Sequence, residues 1–463
     1  MVKSIPLMQG SASDGAKYVN AMKNPTTRQP KGNLGMEAAI SRRDFLRGAA
    51  GLTATVALGA LPIELFAHAA GSDTLKVGLI GCGGRGTGAA MDCLHADEGT
   101  VIYALGDVFQ DRLDACREGL KAEFPDRANV PAERCFLGLD AYQHVIHSGA
   151  DLILHCTPPA FRPIHFLAAV EAGKHVFMEK PVAVCPEGVR MILRGAEIAS
   201  QKRLGVVPGT QYRHHPGYLG VIERLREGHI GTIRAAYAYY LAGSPGVRPR
   251  QPNWSDLEYQ LRNWLFYIWL SGDQPVEQFV HNIDVMNWVM GSTPLKALAL
   301  GGRQVRTAPE YGDVYDHFAI EYEYPGGVKV LAMCRQMDNT TFKVSNYVVG
   351  TEGEALLEQF TRFYVRGKVS WEPGTEWPNP YVLEHRDLIQ SIRRGEPINE
   401  ARRIAESTLT AIMGRMSAYT GKEVTWEQAM NSKLNLVERA VNARFDAPIA
   451  VDPVPMPGKT PLI

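Results

Sequence analysis

Thr74-Leu75-Lys76-Val77-Gly78-Leu79-Ile80 runs straight into Gly81-Cys82-Gly83-Gly84-Arg85-Gly86, then into Thr87-Gly88-Ala89-Ala90-Met91. The first segment reads as a short apolar strand and the last can be helical. A G-x-G-x-x-G turn therefore sits between strand and helix. Gly81 allows the tight turn, Gly83 lets backbone approach a pyrophosphate, and Gly86 lets the helix pack on the strand. Amides at the helix N-terminus, around Gly84 and Arg85, favour an anion. A second strand, Val101-Ile102-Tyr103-Ala104-Leu105, ends at Gly106-Asp107. Asp107 lies 21 residues beyond Gly86, the offset of a carboxylate that takes the adenosine ribose hydroxyls. A carboxylate there repels a 2′-phosphate, so NAD is expected rather than NADP.

The alternation continues outward from this motif. Asp151 to Cys156 is a buried strand ending at Thr157-Pro158-Pro159, and Ile164 to Ala172 is helix-like. His175 to Met178 is a strand ending at Glu179-Lys180-Pro181. Strand–helix repetition predicts a doubly wound parallel sheet, in which ligands bind at the carboxyl ends of strands. Gly81, Asp107, Thr157, Pro158, Glu179 and Lys180 all fall at such ends. Farther on, Ala235–Tyr240, Asp316–Tyr324, Val328–Cys334 and Ser345–Val349 alternate or are β-rich, and Pro325-Gly326-Gly327 marks a hairpin turn. These segments predict a second sheet. Four parts are expected: a leader (1–70), a nucleotide-binding domain (73–205), an α+β domain (206–450) and a proline-rich tail (451–463) that reaches a neighbouring subunit.

The leader is read from Ser41-Arg42-Arg43-Asp44-Phe45-Leu46-Arg47, a small-residue apolar stretch, and Ala67-His68-Ala69. Basic, apolar, small is the order of a signal peptide, and the paired arginines resemble a Tat signal. Export to the periplasm follows as an expectation, without stable membrane insertion. The chain has 463 residues with 49 basic and 49 acidic side chains, and residues 1–69 hold eight of the basic and four of the acidic ones. The rest is slightly acidic, which disfavours nucleic acid as a partner. The seven cysteines are odd in number and form no C-x-x-C pair, so neither a complete disulfide framework nor a metal site is expected.

Taken together, the chain resembles the Gfo/Idh/MocA family of nicotinamide-dependent oxidoreductases. The residues that carry the likeness are the Gly81–Gly86 fingerprint, Thr157-Pro158, His165 with Ala172-Gly173-Lys174-His175-Val176, Glu179-Lys180-Pro181, and His281-Asn282-Ile283-Asp284. The likeness implies a Rossmann domain followed by an α+β domain on a large, mostly antiparallel sheet. The open face of that sheet implies a homodimer or homotetramer. Sugars, glycosides or cyclitols are the implied substrates, flanked by Lys180 and His281. One position departs from the family: an Asp is common four residues before the histidine, and here it is Glu277.

The residue chemistry fits that reading. Oxidising a secondary alcohol needs a base for the hydroxyl proton and a cation for the developing alkoxide. Lys180 suits the second role and His281 the first. Glu277 and Asp284, four before and three after His281, would share its helical face and orient substrate or imidazole. Arg213, His214, Asn263, Trp264 and Tyr267 offer polar groups and rings for a saccharide. An exported enzyme of this type is served by a tightly held cofactor, recycled as one sugar is reduced and another oxidised. Two other readings stay open: a glycosidase that uses NAD transiently through oxidation and elimination, and a sugar-binding protein without turnover.

Overall fold

Six parallel strands build the first sheet of the computed structural model, which describes residues 74–463. They are β1 (Leu75–Ile80), β2 (Thr100–Asp107), β3 (Cys135–Leu137), β4 (Leu152–His155), β5 (His175–Met178) and β6 (Val206–Pro208), in the order β3-β2-β1-β4-β5-β6. This is the doubly wound order, with the turn-over point between β1 and β4. Helices α1 (Gly84–Ala96), α2 (Gln110–Glu123), α3 (Ala141–Ile146), α4 (Arg162–Glu171) and α5 (Pro186–Gln201) supply the crossovers. Successive strand residues feed opposite cores: Leu152, Leu154 and Phe177 join one apolar cluster, Ile153, Val176 and Met178 another. A sheet buried on both faces is why these strands read as continuous apolar runs. The leader expected at 1–70 lies outside the described residues.

The second sheet has eight strands, ordered β13-β12-β11-β7-β10-β9-β8-β14. In chain order they are β7 (Ile233–Ala242), β8 (Lys296–Gly302), β9 (His317–Glu323), β10 (Lys329–Gln336), β11 (Lys343–Gly350), β12 (Glu354–Glu358), β13 (Arg362–Arg366) and β14 (Val424–Thr425). The predicted hairpin is present: Glu323 pairs with Lys329 across the Pro325-Gly326-Gly327 turn. Neighbours run antiparallel except β7 and β10, which are parallel. Among the helices of this half are α6 (Pro216–Arg226), α7 (Asp256–Arg262), α8 (Gln274–Glu277), α9 (Val280–Met290), α10 (Pro380–Arg393) and α11 (Ala401–Thr420). The long α11 is buried almost end to end and takes up one face of the sheet.

Period-2 alternation leaves the other face bare. Ala297 and Ala299 of β8 are buried, whereas Leu298 and Leu300 are 51% and 79% exposed. The proline-rich tail makes contacts with its own chain. The Tyr315 hydroxyl donates to the Pro455 carbonyl at 2.7 Å, and Asp452 pairs with Arg439 at 2.6 Å. All seven cysteines are free thiols, and no metal-binding cluster occurs among the described residues. No described helix is long and apolar enough to cross a membrane.

Candidate functional site

The glycine turn divides into a packed side and an open side. A Cβ on Gly86 would fall 1.8 Å from the Gly81 carbonyl oxygen. On Gly81, whose φ is +94°, it would fall 2.8 Å from Cys156 backbone. Both positions must stay glycine for helix, turn and β4 to meet. A Cβ on Gly84 would meet nothing within 4 Å, and on Gly83 only an Arg112 guanidinium nitrogen at 3.9 Å. No side chain caps the N-terminus of α1, so its first amides face open space. A cradle of this shape fits a dinucleotide pyrophosphate.

Asp107 sits against the same turn. Its carboxylate accepts the Cys82 amide at 2.6 Å and the Phe109 amide at 2.9 Å. One lone pair on each oxygen remains for a ribose hydroxyl. Burial pushes its pKa up, while the two amides and Arg112 pull it back. At the end of β4, the Thr157 hydroxyl bonds His155 at 2.8 Å.

Just past the end of β5 stands Lys180. Lys180 Nζ donates to the Glu277 carbonyl at 2.8 Å and to Glu277 Oε1 at 3.1 Å. Both side chains are nearly buried, at 14% and 11% exposure. The sequence predicts Glu277 and His281 on one helix; the structure breaks it between them. α8 ends at Glu277, α9 starts at Val280, and the His281 amide bonds Gln278 rather than Glu277. That break frees the Glu277 carbonyl, and Lys180 takes it. His281 lies against the Tyr212 ring at 5.1 Å, with Nδ1 buried and unpartnered. Burial and the neighbouring Lys180 hold its pKa well below the ordinary histidine range, Asp284 opposing. The imidazole is therefore neutral at neutral pH, in the form that accepts a proton.

The remaining predicted residues go elsewhere. Arg85 does not extend over the glycine turn: Nε bonds Glu179 Oε1 at 2.6 Å, and its guanidinium lies 4.9 Å from the Tyr381 ring centre and 4.0 Å from buried Glu384. Burial opposes ionisation of Glu179, but Arg85, Arg162 and Lys180 together keep it below the ordinary carboxylate value. Asp284 does not orient His281. Its two oxygens accept from Arg213, Arg403 and Ser407 at 2.7–3.1 Å, which uses its acceptor capacity. Burial works against its charge, yet the two arginines hold it far below the carboxylate range. Arg213 is thereby committed as well, with its other face 4.5 Å from the Trp288 ring centre.

His214 pairs with Asp387 at 2.7 Å. Asn263 is 4% exposed and staples its own loop through Arg248 and Tyr259. Tyr267 is buried in an apolar cluster with Phe161 and Trp269, and Trp264 packs on that cluster. Lys180, Glu277 and His281 thus come together, while the six substrate candidates are held mainly by their own structural partners. Arg162, Arg403 and Glu384 carried no signal in the sequence, because each meets the site through residues distant in the chain or through backbone carbonyls.

Comparison with known proteins follows this geometry. An oxidoreductase family with an NAD-binding Rossmann fold matches residues 75–206, and a GFO/IDH/MocA C-terminal domain matches 218–356. A twin-arginine translocation signal sequence matches 39–59, outside the described residues. The chain is 26% identical over 330 residues to inositol 2-dehydrogenase of Paracoccus denitrificans, covering 70% of this chain and 87% of the relative. Among solved structures, levoglucosan dehydrogenase in complex with NADH is similar with a TM-score of 0.62 at 18% identity, covering 76% of this chain and 99% of that one. Aldose-aldose oxidoreductase from Caulobacter crescentus gives a TM-score of 0.61 at 16% identity, again covering 76% and 99%. The two matched domains span more than half of the sequence and follow the order of the two sheets. The chain belongs to the GFO/IDH/MocA family of NAD-binding oxidoreductases.

Proposed function

We propose that the protein interconverts a secondary hydroxyl and a ketone on a sugar or cyclitol. The observation that carries this reading is Lys180, fixed by two bonds to Glu277 beside a neutral His281 at the carboxyl end of β5. An ammonium has three donors. Two are spent on Glu277, which leaves one for a substrate oxygen. Lys180 donates that bond to the reacting hydroxyl and stabilises the alkoxide as it forms. His281 takes the hydroxyl proton. Glu277 keeps Lys180 aimed and balances its charge. When bound, the nicotinamide dinucleotide supplies the hydride acceptor. Gly83, Gly84 and the α1 amides hold its pyrophosphate, and Asp107 its adenosine ribose. Relatives named for inositol and levoglucosan support the substrate class. Fluorescence titration with NADH, followed by turnover assays over a panel of cyclitols and aldoses, tests the reading.

The signal sequence supports work in the periplasm, where free nicotinamide cofactor is scarce. Retention of the cofactor fits the packing around Asp107. Arg262 of α7 forms a fork with both oxygens of Asp111 at 3.0 and 3.1 Å, and its guanidinium lies 4.0 Å from the Phe109 ring centre. Phe445 meets Phe109 edge-on at 6.3 Å. The second half of the chain is thereby strapped across the loop that follows β2. Arg262→Ala is expected to speed NADH release by roughly tenfold, from the loss of its ion pair to Asp111 and its cation–π contact with Phe109. Stopped-flow displacement by excess NAD reads this directly. The bare sheet face, with Leu298, Leu300 and Leu331 exposed, supports pairing with a second copy. Light scattering of the purified protein is expected to give a dimer or tetramer mass.

A further inference from the structure

Arg162 opens α4 and is 4% exposed. Its Nε donates to the Thr157 carbonyl at 2.8 Å and its Nη1 to the Pro181 carbonyl at 2.6 Å. Thr157 follows β4 and Pro181 follows β5. These are neighbouring parallel strands, with His155 opposite Met178. One guanidinium therefore bridges the loops that follow β4 and β5, the second of which carries Lys180, the residue before Pro181. The arrangement suits arginine, whose planar fork can satisfy two carbonyls in diverging directions. Burial draws its pKa down to about 10, with Glu179 and Glu277 opposing, so it stays charged at neutral pH. The charge therefore acts on the same two carboxylates that frame Lys180.

We propose that Arg162 is a positioning residue that fixes the spacing of the β4 and β5 loops and so holds Lys180 on Glu277. It acts through Lys180 and needs no contact with substrate. Its importance for turnover rests on the role given to Lys180 above, but its geometric effect can be measured without substrate.

The test is trace acetylation of the full-length purified protein with acetic anhydride, read at each lysine by peptide mass spectrometry. In the parent protein Lys180 is expected to react much more slowly than exposed Lys121, because its ammonium is bonded to Glu277 and shielded. In Arg162→Met the Lys180 rate is expected to rise several-fold relative to Lys121, with NADH affinity retained. Added guanidinium ion should restore part of the protection. Arg162→Lys is expected to rise less, since one ammonium keeps the charge and one of the two carbonyl bonds. It carries the test alone if Arg162→Met does not fold. A folded variant whose Lys180 reacts at the parental rate would overturn the positioning role. Fast reaction of Lys180 in the parent would instead overturn the Lys180–Glu277 pairing on which the functional reading stands. For turnover, the expected pattern in Arg162→Met is a fall in kcat with KM little changed.

Discussion

Replacing Lys180 with alanine is expected to lower turnover by roughly 10²–10⁴-fold, the usual worth of a positioned proton donor or acceptor. Binding of NADH is expected to be essentially unchanged. The expectation follows from where Lys180 spends its hydrogen bonds. Both hydrogen-bond partners of its ammonium are atoms of Glu277, and neither is part of the glycine turn or of Asp107. Removing the ammonium therefore leaves the cradle for the dinucleotide intact, while the developing alkoxide of the proposed reaction loses the donor assigned to it. Lys180→Arg should rescue little, because a planar fork does not fit a pocket shaped around a compact point charge. Parallel fluorescence titration and steady-state assays separate the two effects. Near-parental turnover in Lys180→Ala would remove the residue from the chemistry.

The second large effect is on stability. Asp284→Ala is expected to cost about 3–5 kcal/mol, because it strands nearly buried Arg213 without its paired carboxylate and leaves Arg403 with Glu400 alone. Arg213 and Arg403 have side-chain exposures of 12% and 21%, against 2% for Asp284. Denaturant unfolding measures the loss. The pH dependence has a definite sign. Asp284 is held far below its unfolded value of about 3.9, so its contribution is complete above that pH. It fades only as the solution becomes strongly acidic. Asp284→Asn should flatten that acid limb. If Asp284 instead served the substrate, Asp284→Asn would raise KM and leave stability unchanged.

The case of Asp284 also shows where sequence reading stops. Spacing along one strand–turn–helix unit is local, so Gly81, Gly86 and Asp107 were legible, as was the placement of Glu179-Lys180-Pro181 at a strand end. Period-2 alternation made the second sheet legible too. The partners of Asp284 were not, since Arg403 arrives from 119 residues away on α11 and belongs to no motif. Helical spacing put Glu277 and His281 on one face, but α8 ends between them, and the freed carbonyl of Glu277 became a ligand for Lys180. Arg85 was placed among the cofactor-binding residues because it lies within the glycine motif. Its pairing with carboxylates of α1, α10 and the end of β5 was not legible there. The parallel pairing of β7 with β10 likewise depends on a crossover that no local pattern encodes.

The central claim is that this site removes a hydride from a sugar or cyclitol carbon. Its most direct test is a single-turnover experiment on protein loaded with NAD, mixed in turn with myo-inositol, levoglucosan and common aldoses. The expected result is the near-ultraviolet band of reduced nicotinamide, rising toward one per subunit with at least one of these alcohols and absent in Lys180→Ala. Failure of the band with every alcohol, on protein shown to hold NAD, would contradict the claim, and cleavage of a glycoside in the same mixture would point to hydrolysis instead.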